Sequence, residues 1–83
     1  MDTLNTIKEL AAKKFGGDVE SIDENASVDK LGIDSLGFLE FLFDLEDALG
    51  FSIPQDAVAH VRTLAELATA VDGVIASRAA ATS

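Results

Sequence analysis

Leu4, Ile7, Ala11 and Phe15, with Leu10 beside them, recur at helical spacing, and Gly16-Gly17 ends the pattern. This predicts a first helix. From Leu36 to Leu49 a second helical pattern runs until Gly50, and Ile53-Pro54 then breaks the chain. Gln55 to Ala59 has room for one short helical turn. Thr63-Leu64-Ala65-Glu66 has the form of a capping box, in which the Thr63 hydroxyl and the Glu66 carboxylate each accept a backbone N–H of the other residue. Behind it comes a stripe of Leu64, Leu67, Ala68, Val71, Val74 and Ile75, with Gly73 weakening this last helix by about 1 kcal/mol relative to alanine. Ala79 to Ser83 is expected to fray. Between the first two helices, Asp18 to Asp34 has no sustained period and reads as a long ordered loop pinned inward by Val19, Ile22, Val28, Leu31 and Ile33. A loop of that length in a compact domain tends to be functional. No strand-like alternation and no internal repeat is present, so the expected class is all-α, with three main helices and one short one.

With 83 residues the chain has room for one domain, expected to span 1–83 with a folded core over about 3–77. Hydrophobic residues make up 48% and charged residues 25%, enough for a core, although a domain of this size buries only roughly 60% of its unfolded surface. Cysteine is absent, which excludes a disulfide framework, a thiolate metal site and a cysteine nucleophile. Any thiol this protein uses must come from elsewhere.

The formal charge is −9, and it is unevenly placed. Residues 18–56 hold eleven acids and one base, a net −10, while the two ends together come to +1. Such a segment repels nucleic acid and anionic lipid and attracts basic protein surfaces, so the expected partner is a protein. No apolar run approaches the roughly 20 residues needed to span a bilayer, and Met1 is followed by Asp2 rather than a basic leader. The expected setting is the cytoplasm.

On a wheel turning about 100° per residue, Phe38, Phe41, Leu42, Leu45 and Leu49 of the second helix share one side, the expected core face. Leu36, Glu40, Phe43, Asp44 and Asp47 lie opposite. Two large apolar side chains inside a rim of carboxylates fit a partner surface, in which the acids orient a basic partner and the apolar pair gains by desolvation. The plainer alternative is that Phe43 tucks against the long loop. Phe38 and Phe41 read as core packing, with shaping of a chain-binding cleft as the other reading.

Ser35 stands just ahead of this face, in Leu31-Gly32-Ile33-Asp34-Ser35-Leu36. Asp34 or Ser35 would serve as a helix N-cap, yet a capping box would need Glu or Gln three residues later, where Gly37 and Phe38 stand. As a nucleophile acting alone Ser35 lacks a base, since the one histidine, His60, is 25 residues away with no third triad member in sight. Ser35 reads better as an attachment point than as a catalyst, and no paired acid–base constellation points to an enzyme. The acids also lack the alternating order of a calcium loop, and His60 alone makes no metal site.

Asp34-Ser35-Leu36, preceded by Leu31-Gly32 and followed by Glu40, Glu46-Asp47 and Ile53-Pro54, resembles the acyl carrier proteins of fatty-acid and polyketide synthesis, over about residues 4–76. The resemblance implies a four-helix bundle and a covalent 4′-phosphopantetheine, taken from coenzyme A, on Ser35. The terminal thiol of that arm would bear acyl groups as thioesters. It further implies that Asp34 helps hold a divalent ion shared with the phosphopantetheinyl transferase (holo-acyl-carrier-protein synthase). Leu36, Glu40, Phe43, Asp44 and Asp47 fall where the family's recognition residues fall, facing acyl-processing enzymes with basic docking patches. The chain is expected to act as a monomer.

Three departures stand out: Gly37 and Ser52 where the family commonly has acids, and a third helix, Asp56-Ala57-Val58-Ala59-His60, less acidic than usual. They point toward a specialised discrete carrier. Two alternatives remain at this point. One is a carrier of aminoacyl or other non-fatty groups, against which Ile33-Asp34 counts, since peptidyl carriers more often have Gly-Gly there. The other is an unmodified acidic docking adaptor.

Overall fold

The computed structural model describes the backbone of residues 2–82 and the side chains of residues 2–78. It is helical, with α1 at Thr3–Phe15, α2 at Ser35–Leu49, α3 at Gln55–Val58 and α4 at Leu64–Thr82. This is the all-α arrangement of three main helices and one short helix that the periodicity predicts.

Each main helix begins where a side chain supplies an acceptor for an otherwise unpaired N–H. Asp2 accepts from the Asn5 amide at 3.2 Å ahead of α1, and Asp34 accepts from the Gly37 amide at 2.7 Å ahead of α2. At α4 the capping box forms as its spacing requires: the Glu66 amide donates to Thr63 Oγ1 at 3.0 Å, and Glu66 Oε1 accepts the amides of Thr63 and Arg62 at 3.1 and 2.8 Å. α2 ends at Gly50, whose φ of 82° is left-handed and whose amide donates to the Glu46 carbonyl at 2.8 Å. A side chain at Gly50 would carry strain there. α4 continues to Thr82, through residues 79–82 that were expected to fray, consistent with the high helix propensity of three successive alanines at 79–81; Ser83 lies outside the described residues.

The core is one contiguous cluster. Ile7 and Ala11 of α1, Phe41, Leu42 and Leu45 of α2, and Leu64, Leu67, Ala68 and Val71 of α4 meet there, joined by Ile53 and Val58. α1 packs on both α2 and α4, and α3 closes one end against α4. Thr3, buried at the start of α1, donates its hydroxyl to Asp72 Oδ1 of α4 at 2.5 Å and ties the chain's two ends together. Phe38 and Leu49 pack against this cluster while remaining half-buried. Phe15 lies further out than its place in the stripe suggests, 39% exposed, with its ring 5.9 Å from that of Phe41.

The loop between α1 and α2 is ordered, as expected, and contains a single 3₁₀ turn at Val19–Ser21. It is held by its backbone as well as by its apolar side chains. The Val28 amide donates to the Arg62 carbonyl at 2.8 Å, and the Glu24 carbonyl accepts the Ala65 amide, an N–H in the first turn of α4, at 3.0 Å. Ile33, 3% exposed, anchors the last residues before α2. The start of α2 is thus fixed in place by a loop that contributes to capping another helix.

Candidate functional site

Two features fix the surroundings of Ser35: the buried Ile33 behind it and the cap made by Asp34. Because the Asp34 carboxylate takes the Gly37 amide, the cap is already made when the chain reaches Ser35. The Ser35 side chain is exposed, and its hydroxyl makes no hydrogen bond among the described residues. It also sits where the positive end of the α2 dipole and the unpaired amides of the first turn favour a phosphate.

The Asp34 cap also accounts for Gly37. A Cβ at that position would lie 3.0 Å from Asp34 Oδ1, with Phe15 and Ile33 atoms at 3.7 and 3.8 Å. Glycine lets the carboxylate close tightly on the amide it accepts.

Beside Ser35 an open cleft of about 470 Å³ runs between α2 and α3, lined by Ser35, Phe38, Leu39, Leu42, Gln55, Asp56, Val58 and Ala59. Its lining is mostly apolar, with Ser35, Gln55 and Asp56 as the polar members. An attached arm of pantetheine length could lay its apolar portions there, so the residues present fit such a group. The other fit is electrostatic, between a phosphodiester and the first turn of α2.

The outer face of α2 is arranged as the wheel predicts. Leu36 is 64% exposed and Phe43 is 58% exposed, so Phe43 does not tuck against the loop. Glu40, Asp44 and Asp47 are exposed around them. Lys14, from the last turn of α1, reaches across: its Nζ lies 3.0 Å from Asp44 Oδ2 and 3.7 Å from Glu40 Oε2. Hydrogen bonding to Asp44, opposed by desolvation and assisted by the charges of Asp44 and Glu40, raises the Lys14 pKa above its ordinary 10.5. The lysine is therefore fully charged at neutral pH. Glu46 turns inward, accepting the Ile53 amide at 2.5 Å and so joining α2 to the segment before α3.

Sequence reasoning missed the parts played by Leu39, Glu46 and Lys14. Leu39 was assigned to neither face, and the helical wheel could have placed it at their border, near the cleft. Glu46 gave no sign that its carboxylate would bind the Ile53 amide, seven residues on. The Lys13-Lys14 pair was visible at the end of α1, but its meeting with α2 depends on the packing of two helices separated by a long loop.

The sequence model of the family described as "Phosphopantetheine attachment site" matches residues 5–71. The chain is 33% identical to the "Acyl carrier protein" of Zymomonas mobilis subsp. mobilis over 72 residues, which is 86% of this chain and 92% of that protein. The chain belongs to the acyl carrier protein family. A second member, the "Acyl carrier protein" of Lactobacillus acidophilus, is 36% identical over 66 residues, covering 78% of this chain and 82% of that one. A protein of this family carries acyl groups as thioesters on a covalently bound 4′-phosphopantetheine, and this chain is such a carrier. The adaptor and non-fatty alternatives are not favoured by these similarities. Among the described residues no helix is long and apolar enough to cross a membrane.

Proposed function

We propose that Ser35 is the residue that receives 4′-phosphopantetheine, and that residues 1–83 act as one carrier domain presenting that arm at the start of α2. The observation that carries this reading is the free Ser35 hydroxyl beside a cap already supplied by Asp34. In the transfer the Ser35 hydroxyl attacks a phosphorus of coenzyme A, losing its proton to a base of the transferase. A Ser35 Oγ–phosphorus bond forms, the pyrophosphate bond breaks, and the nucleotide part leaves. When attached, the arm supplies the thiol that a chain without cysteine lacks.

The chain's own contribution is positioning. The first-turn amides of α2 favour the phosphodiester, and the apolar cleft between α2 and α3 gives the arm a surface to rest on. The second oxygen of Asp34 makes no hydrogen bond among the described residues, which suits it to contact a divalent ion held with the transferase. The reading makes this chain a substrate and carrier rather than an enzyme, which its membership of the acyl carrier protein family supports.

The same reading assigns Leu36, Glu40, Phe43, Asp44 and Asp47 as the docking face for the transferase and for acyl-processing enzymes with basic patches. Steering by a net −10 segment with a small apolar anchor gives fast, short-lived encounters, which is what a shuttle between enzymes requires. The expected setting is the cytoplasm, with the chain monomeric. Gly37 and Ser52, which leave the face with fewer acids, favour a carrier serving a dedicated set of enzymes.

Incubation with coenzyme A, magnesium and a phosphopantetheinyl transferase should add one pantetheine phosphate, and Ser35→Ala should accept none. Full modification of Ser35→Ala would remove the assignment.

A further inference from the structure

Four acids stand along α2 after the cap, Glu40, Asp44, Glu46 and Asp47, and the sequence reading places three of them, Glu40, Asp44 and Asp47, on the docking face. The structure engages Glu40, Asp44 and Glu46 internally. Glu46 accepts the Ile53 amide at 2.5 Å, and Lys14 stands between Glu40 and Asp44, at 3.7 and 3.0 Å. Of the four, Asp47 alone has no ion-pair or hydrogen-bond partner among the described residues.

Lys14 occupies the place that a partner's lysine or arginine would take at Glu40 and Asp44. Its neighbour Lys13 makes no such contact among the described residues. The side chains of Glu40 and Asp44 remain about half exposed, at 55% and 49%, so a second cation can still approach them. The two events compete, because two carboxylates that share one ammonium, at 3.0 and 3.7 Å, keep one negative charge between them instead of two and attract an incoming cation less.

We propose that Lys14 is a built-in competitor on the docking face, a specificity-determining residue that a partner's basic side chain must displace to engage Glu40 and Asp44. This rests on the reading of that face as the docking surface. The contact is an exposed one and hence weak, so it alters the strength of docking without blocking it. Partners that bring both a strong cation and a pocket for Phe43 overcome it, whereas a merely basic surface is held off. The face thereby discriminates by combined chemistry rather than by charge alone. Lys14 acts through the two carboxylates, and its effect belongs in binding rather than in the chemical step at Ser35.

The test measures loading of Ser35 by a holo-acyl-carrier-protein synthase, with KM and kcat determined separately, for the natural chain, Lys14→Gln, Lys14→Arg and Phe43→Ala. Lys14→Gln should lower KM about two- to fivefold at low ionic strength, the range of one exposed ion pair, with kcat unchanged and the difference gone in about 1 M salt. Lys14→Arg, which keeps the cation, should behave as the natural chain or show a higher KM. Circular dichroism of each variant checks that the fold is retained. A KM that stays the same or rises in Lys14→Gln, while Phe43→Ala still raises it, overturns the proposal and leaves the docking face standing. If Phe43→Ala has no effect either, the docking face itself is wrong and the proposal falls with it.

Discussion

Phe43 and Phe41 stand two residues apart on α2 and face opposite ways, which makes them a matched pair for separating docking from folding. Phe43 is 58% exposed and Phe41 is wholly buried. A phenylalanine buries roughly 200 Å² when fully covered, so about 120 Å² of Phe43 remains to be removed from water by a partner. At about 25 cal/mol per Å² that is an upper bound of about 3 kcal/mol, and a transient interface covering half of it would gain about 1.5 kcal/mol. Phe43→Ala should therefore lower kcat/KM for loading, or for acyl transfer to a partner enzyme, by about tenfold. Its helical content should be unchanged, since alanine is the better helix former at an exposed position. Phe41→Ala, in contrast, leaves a cavity between α1, α2 and α4 and should cost about 3–5 kcal/mol of stability, a large share of what a domain of this size has. Urea denaturation followed by circular dichroism, run beside the kinetics, distinguishes the two. If Phe43→Ala lost as much stability as activity, or kept full kcat/KM, the assignment of an outward docking anchor would be refuted.

Two further substitutions test how the site is held. Glu66→Ala removes one carboxylate that accepts two amides at the start of α4 and should destabilise the chain by about 1–2 kcal/mol, read as a lower urea midpoint; an unchanged midpoint would show that the capping box contributes nothing. Gly50→Ala places a Cβ in open space at a φ of 82°, so its cost is backbone strain alone, about 1 kcal/mol, and a cost well above 3 kcal/mol would mean that the end of α2 is packed differently.

The three main helices were legible because each announces itself locally: apolar residues at helical spacing, an Asp or Thr ahead of the first turn, and glycine after α1 and α2. The two faces of α2 were equally legible, since a wheel needs only the helix itself. What the sequence did not show depends on packing between distant segments. Glu46 meeting the Ile53 amide requires the turn after Gly50, and Lys14 meeting Asp44 requires α1 to lie against α2 with the loop of residues 16–34 folded between them. Gly37 is instructive in a different way. From its propensity alone it weakens the first turn of α2, whereas the structure shows that it lets Asp34 close on its amide at 2.7 Å, which leaves Ser35 free. The Ser35 neighbourhood could be found from the Asp-Ser-Leu setting, but the reason its hydroxyl is available could not.

The covalent arm on Ser35 is open to measurement by intact mass followed by proteolysis. After loading from coenzyme A, cleavage behind lysine and arginine releases residues 31–62, in which Ser35 and Ser52 are the hydroxyl-bearing side chains. One added pantetheine phosphate is expected on this fragment, located at Ser35 by fragmentation, with no addition to Ser35→Ala. Modification at Ser52, on any other fragment, or on none under conditions that load another carrier of the family, would show that Ser35 does not bear the arm.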